Sequence, residues 1–149
     1  MDYSSLILME RDNETGFVTK ELGSYKVSEG AEHIKGFYVK GDNVYIKFDT
    51  NKDVEEWEYS AIYDVFNMEL FENEGFEIEE VEDEYNPTFL INFKYKDDHE
   101  YIEEKLSLSI ELIEEAMEKA SVSLRNAQAL EYQESYFNDY TTKMFYVGK

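Results

Sequence analysis

The stretch TFLINFKYKDDHEYIEEKLSLSIELIEEAMEKA, residues 88–120, changes its hydrophobic period in the middle, and that change decides the fold class. Phe89, Ile91, Phe93 and Tyr95 recur at every second position, the period of a half-buried strand. From Leu106 onward, Ile110, Ile113, Met117, Ala120, Leu124 and Ala127 recur at spacings of four and three, the period of an amphipathic helix. Leu108 and Leu112 widen this stripe toward a core, and Glu111, Glu114, Glu115 and Glu118 form its wet face. Between the two patterns, Asp97-Asp98-His99-Glu100 has the form of a capping box, with Asp97 as N-cap and Glu100 reaching back. Strands that give way to helices indicate an α+β chain.

Helix length sets a further expectation. One helix from Asp98 to Tyr140 would be roughly 64 Å long, against a radius of gyration near ~15 Å for a compact chain of this size. The mismatch predicts a break near Ser121–Asn126 and a second helix over Ala127–Tyr140. Lys143 to Val147 reads as a final short strand.

Upstream of residue 88 the patterns are those of strands. Leu6 to Met9 is apolar on both faces, as in a central strand. Asp12-Asn13-Glu14-Thr15-Gly16 is a turn cluster that returns the chain into Phe17-Val18-Thr19. A second hairpin turns at Lys40-Gly41-Asp42-Asn43, between Phe37 and Val39 on one side and Val44, Ile46 and Phe48 on the other. Asn67 to Gly75 is a loop or short helix, and Phe76 and Ile78 open another strand. Residues 54–66 fit both periods. Trp57, Tyr59, Ala61, Tyr63 and Val65 keep period two, while Val54, Trp57, Ala61, Ile62 and Val65 lie on one helix face. The aromatic and β-branched content favours a strand. Asn86-Pro87 marks the entry to the strand at Phe89, where a missing N–H is tolerated. The expected architecture is α+β: an antiparallel sheet of about six strands built from hairpins, followed by two C-terminal helices packed on one face. One acidic domain spans residues 1–149.

Charge is unevenly distributed. From Asp53 to Phe93 the chain runs forty-one residues with fourteen Asp and Glu and no Lys, Arg or His, within a formal net charge of -21. Acids and bases number 9 and 6 in residues 1–50, 17 and 3 in residues 51–100, and 9 and 5 in residues 101–149. Such a field repels nucleic acid phosphates and anionic lipid and attracts cations and basic protein surfaces. An aromatic content of 16% and a hydrophobic content of 42% argue against disorder. The absence of Cys excludes thiolate metal sites and fits a reducing compartment. The start lacks a basic n-region and Leu6-Ile7-Leu8-Met9 is too short for a signal core, so a cytoplasmic location is expected.

Candidate sites are few. Asp49-Thr50-Asn51-Lys52-Asp53-Val54-Glu55 places oxygen donors at alternate positions, as a calcium loop does. Val54 stands where the loop's turn needs Gly, and Ser60 where the closing Glu belongs, so a solvated inter-strand loop is the plainer reading. Glu77, Glu79, Glu80, Glu82, Asp83 and Glu84 offer an acidic interaction face. The same charges would serve an edge strand by blocking edge-to-edge pairing. A phase slip before Val81 calls for a bulge. His99, in a helix first turn, reads as exposed, and His33 as part of a loop. No nucleophile elbow, dinucleotide loop or phosphate loop is present.

Trp57-Glu58-Tyr59-Ser60-Ala61-Ile62-Tyr63-Asp64, with Glu84-Tyr85-Asn86-Pro87-Thr88, resembles segments of an uncharacterised bacterial family of small acidic proteins, a resemblance that implies a domain of unknown function and no activity. The expectation is a non-catalytic acidic module that binds a basic protein, without cofactor or metal, nucleic acid or membrane. Alternatives are a small enzyme with a carboxylate site, with or without a divalent cation, and an acidic surface serving solubility alone. Oligomeric state is left open.

Overall fold

The computed structural model describes residues 4–27 and 29–147, with side chains described from 5 to 27 and 29 to 127. Six strands, β1 (Ser4–Arg11), β2 (Val18–Val27), β3 (Ile34–Lys40), β4 (Asn43–Asp49), β5 (Glu77–Val81) and β6 (Thr88–Lys94), form one sheet in the order β2-β1-β3-β4-β6-β5. Helices α1 (Glu56–Val65) and α2 (Glu69–Glu72) lie between β4 and β5, and α3 (His99–Val147) follows β6.

The sheet is mixed, not wholly antiparallel. The hairpin β1–β2 forms as its turn chemistry requires: the Asp12 carboxylate accepts the Glu14 and Thr15 N–H groups at 2.9 and 2.8 Å. β3, however, does not continue beside β2. It crosses to the far side of β1 and therefore runs parallel to it, pairing Met9 with Tyr38 and Arg11 with Lys40. Two reversals of direction, at the two ends of β2, make that orientation unavoidable once β3 takes the inner position. The β3–β4 hairpin turns through Gly41 at φ 64, a conformation open to Gly.

Residues 54–66 hold a helix where a strand was expected. Glu58 reaches back to accept the Glu55 N–H at 2.9 Å, capping the first turn. Ile62 is buried, and Ala61, Tyr63 and Val65 pack against the core. The helical face noted for Ala61, Ile62 and Val65 was the operative one, because the neighbouring β4 and β6 already pair with each other and leave no slot between them.

Val44, Ile46, Phe48, Phe89 and Ile91 are wholly buried on one sheet face, with Phe71 of α2 and Ile102, Leu106 and Ile113 of α3. Phe48, Phe66, Phe71 and Phe89 cluster at the centre, with ring centroids of the contacting pairs 4.0 to 6.0 Å apart. The alternate side chains Tyr45, Lys47, Leu90 and Asn92 are half-buried on the opposite face. The three helices thus share one side of the sheet.

The C-terminal region is one helix, not two, and it includes the expected strand at Lys143–Val147. Its 49 residues span roughly 73 Å. The buried stripe runs as the sequence indicates from Leu106 to Leu124, while Ala127 is exposed. Ser121, Ser123 and Asn126 are mediocre helix formers but contain neither Gly nor Pro, so nothing interrupts the backbone hydrogen bonds. The N-cap is Asp98, not Asp97: its carboxylate accepts the Tyr101 N–H at 3.3 Å, which puts Tyr101 at the third helical position and leaves Glu100 outside a capping box.

Candidate functional site

The acidic face is built on the outer strand of the sheet. β5 pairs with β6 in unbroken register from Glu77 opposite Asn92 to Val81 opposite Thr88, so the expected bulge is absent. Val81 consequently shares a face with Glu77 and Glu79, and Glu80 shares one with Ile78. At an edge, Glu80 still reaches water. The chain then turns through Asp83, a non-Gly residue at φ 64. Glu77, Glu79, Glu80, Glu82 and Asp83 are exposed and have no cation within ion-pairing distance among the described residues. Glu84 differs, since Lys47 holds it at 2.7 Å. The six carboxylates are strung along an edge and do not converge.

Two tyrosines one helical turn apart on α1 fix this edge. The Tyr59 hydroxyl donates to the Glu84 carbonyl at 2.6 Å. The Tyr63 hydroxyl donates to the Val81 carbonyl at 3.1 Å and accepts the Thr88 N–H at 2.9 Å. The segments 57–64 and 84–88, which carry the family resemblance, therefore touch in the fold. Burial pushes the Tyr63 phenol up to about 12 from 10.0. The folded chain holds that proton more tightly than the unfolded chain, so the stabilisation is complete below pH 10.0 and is lost as pH rises toward about 12. Tyr63→Phe is expected to make the alkaline loss of stability shallower than in the parent, read as urea midpoints at about pH 9 and about pH 11. Parallel slopes in the two proteins would exclude Tyr63 as the responsible group.

The calcium-like segment is committed to internal contacts. The Asp49 carboxylate accepts the Asn51 N–H at 2.7 Å, Asn51 sits at φ 56, and the Lys35 ammonium donates to the Asn51 side-chain oxygen at 2.7 Å. Among the described residues no group of three or more His, Asp or Glu converges in a way that would hold a metal ion. His99 is exposed, yet it stacks on Tyr25 at 4.4 Å between ring centroids, a contact that spacing alone does not reveal.

His33 lies in a short 3-10 turn, Ala31–His33, and is half-buried. Its Nδ1 is 2.8 Å from the Asp49 carbonyl, which can only accept, so in the neutral ring Nδ1 carries the proton and Nε2 the lone pair. That ring borders a cleft of about 550 Å³ between the start of α1, the β4–α1 connection and the middle of α3. Buried Ile62, Met117 and Leu124 line its floor. Trp57 lines one wall, its indole N–H donating to the Glu55 carboxylate at 2.7 Å. Lys52, Arg125, Glu58, Glu114 and Glu118 stand around the rim. Gly30, at φ 101, admits the Glu114 side chain: a Cβ there would lie 2.6 Å from it. The sequence gives no local sign of this cleft, because its parts come from positions 30–33, 50–62 and 114–125.

The chain belongs to the DUF6762 family, a family of unknown function, whose pattern matches residues 1–133. No curated protein and no solved structure matches it. No helix among the described residues is long and apolar enough to cross a membrane.

Proposed function

We propose that this member of a family of unknown function is a non-catalytic interaction module of the cytoplasm whose β5 edge receives a basic protein surface. The observation that carries this reading is the pairing state of that edge. Among the described residues, three exposed carboxylates on β5 (Glu77, Glu79 and Glu80) and two in the turn after it (Glu82 and Asp83) have no cation within ion-pairing distance, and the outer backbone groups of β5 have no neighbour in the sheet. Unpaired backbone donors and acceptors accept an added strand, and acidic side chains beside them select Lys and Arg over acidic or apolar partners. The same charge disfavours nucleic acid and anionic membrane as partners. Carboxylates dispersed along an edge favour contact with a surface over catalysis at a point.

Neutralising Glu79, Glu80, Glu82 and Asp83 to Gln or Asn is expected to abolish retention of the basic partner recovered from a native lysate. Neutralising Glu100, Glu103, Glu104 and Glu111 on the outer side of α3 is expected to leave it. Association should slow steeply between about 0.01 M and 0.1 M salt, as the screening length falls from ~30 to ~10 Å. If both quartets act alike, the charge serves solubility and the module reading fails.

A further inference from the structure

The cleft beside His33 lies apart from the acidic edge, and its chemistry is different. Its floor is apolar, and its volume of about 550 Å³ is within the range of small-molecule sites. Its rim carries both signs of charge. Lys52 and Arg125 face it, as do Glu58, Glu114 and Glu118, in a chain where acidic residues outnumber basic ones 35 to 14. None of these five forms an ion pair among the described residues, although they surround one opening. Opposite charges held around one cavity without closing on each other are separated by more than an ion-pair distance. A singly charged ligand would satisfy one group and be repelled by the other. A molecule with both charges, spaced by an apolar body, satisfies both and covers Ile62, Met117 and Leu124.

We propose that this cleft binds a small zwitterion with an apolar body, of dipeptide size, its ammonium toward the rim carboxylates and its carboxylate toward Lys52 and Arg125. The geometry supplies its own reporter. Trp57, the single Trp of the chain, lines the cleft and is partly exposed, so occupancy alters its emission.

The test titrates the full chain with the dipeptide Leu-Leu, its N-acetyl derivative and its C-terminal amide, following Trp57 emission. Leu-Leu is expected to give a saturable shift, and each singly charged derivative a weaker one. Arg125→Gln and Glu114→Gln should each weaken Leu-Leu binding roughly two- to fivefold, the scale of exposed ion pairs. Circular dichroism checks that both variants fold, and the three ligands on the parent chain decide the matter without them. No shift with Leu-Leu up to about 1 mM, the scale of weak specific binding, overturns the proposal. Equal binding of the acetylated or amidated compound overturns it as well.

Discussion

Phe48→Ala is expected to remove about 3–5 kcal/mol of stability, a large share of the 5–15 kcal/mol that holds a domain of this size together. Phe48 is wholly buried, and its ring lies 5.6 Å from both Phe71 and Phe89 and 6.0 Å from Phe66. It therefore joins β4 to β6, to α2 and to the residue that ends α1. Truncation forfeits the transfer of a benzyl group out of water and leaves a cavity walled by three other rings. Those rings are held by separate elements, which cannot collapse together to fill it. Guanidinium melts of parent and variant measure the difference. A loss under ~1 kcal/mol would show that the site relaxes and that the aromatic cluster does not unite the layers.

Ser123→Pro is expected to cost about 3 kcal/mol and to lower the helical signal in far-UV circular dichroism. Ser123 is exposed, so its side chain contributes little and the substitution acts on the backbone alone. Within a continuous helix, Pro removes the bond to the carbonyl of Lys119 and clashes with it. The neighbouring Leu124 is buried and would be pulled from the core. At a break between two helices the same substitution would be nearly neutral. A change below ~0.5 kcal/mol would therefore divide α3 after all.

How far the fold could be read from the chain depended on whether the information was local. The change of period between Phe93 and Leu106 is local, and it located β6, α3 and most of the buried helix face. At Trp57–Val65 two periods coincide, and the aromatic content weighed toward the wrong one. Better signals were present: Glu55 and Glu58 at capping spacing, and Tyr59 and Tyr63 one turn apart. The side of β1 on which β3 settles is not encoded near β3, so the parallel pairing could not be anticipated. The expected helix break rests on a size argument, which assumes that every helix fits within the body of the protein. The acidic run was legible because charge needs no geometry to be counted. Its position on an outer strand followed from β5 pairing on one side only. The cleft was illegible because His33, Trp57 and Arg125 meet only after the sheet and α3 have come together.

The order of the elements also governs what happens as the chain emerges during synthesis. β1 to β4 end at Asp49 and can pair as two hairpins and one parallel contact among themselves. Their common face then presents Val44, Ile46 and Phe48 with incomplete cover: Phe66 and Phe71 follow soon and pack on Phe48, but the covering stripe of α3 extends to Leu124. At a synthesis rate of about 5–20 residues per second, the intervening residues take roughly 4–15 s to appear. For that interval the nascent chain carries a partly open apolar sheet, the kind of surface that chaperones and other nascent chains bind. The acidic run from Asp53 is made soon after it, so the net charge that emerges beside the sticky face is strongly repulsive to its own kind. The same carboxylates that line the finished edge would thus keep neighbouring chains on a polysome apart until α3 closes the core.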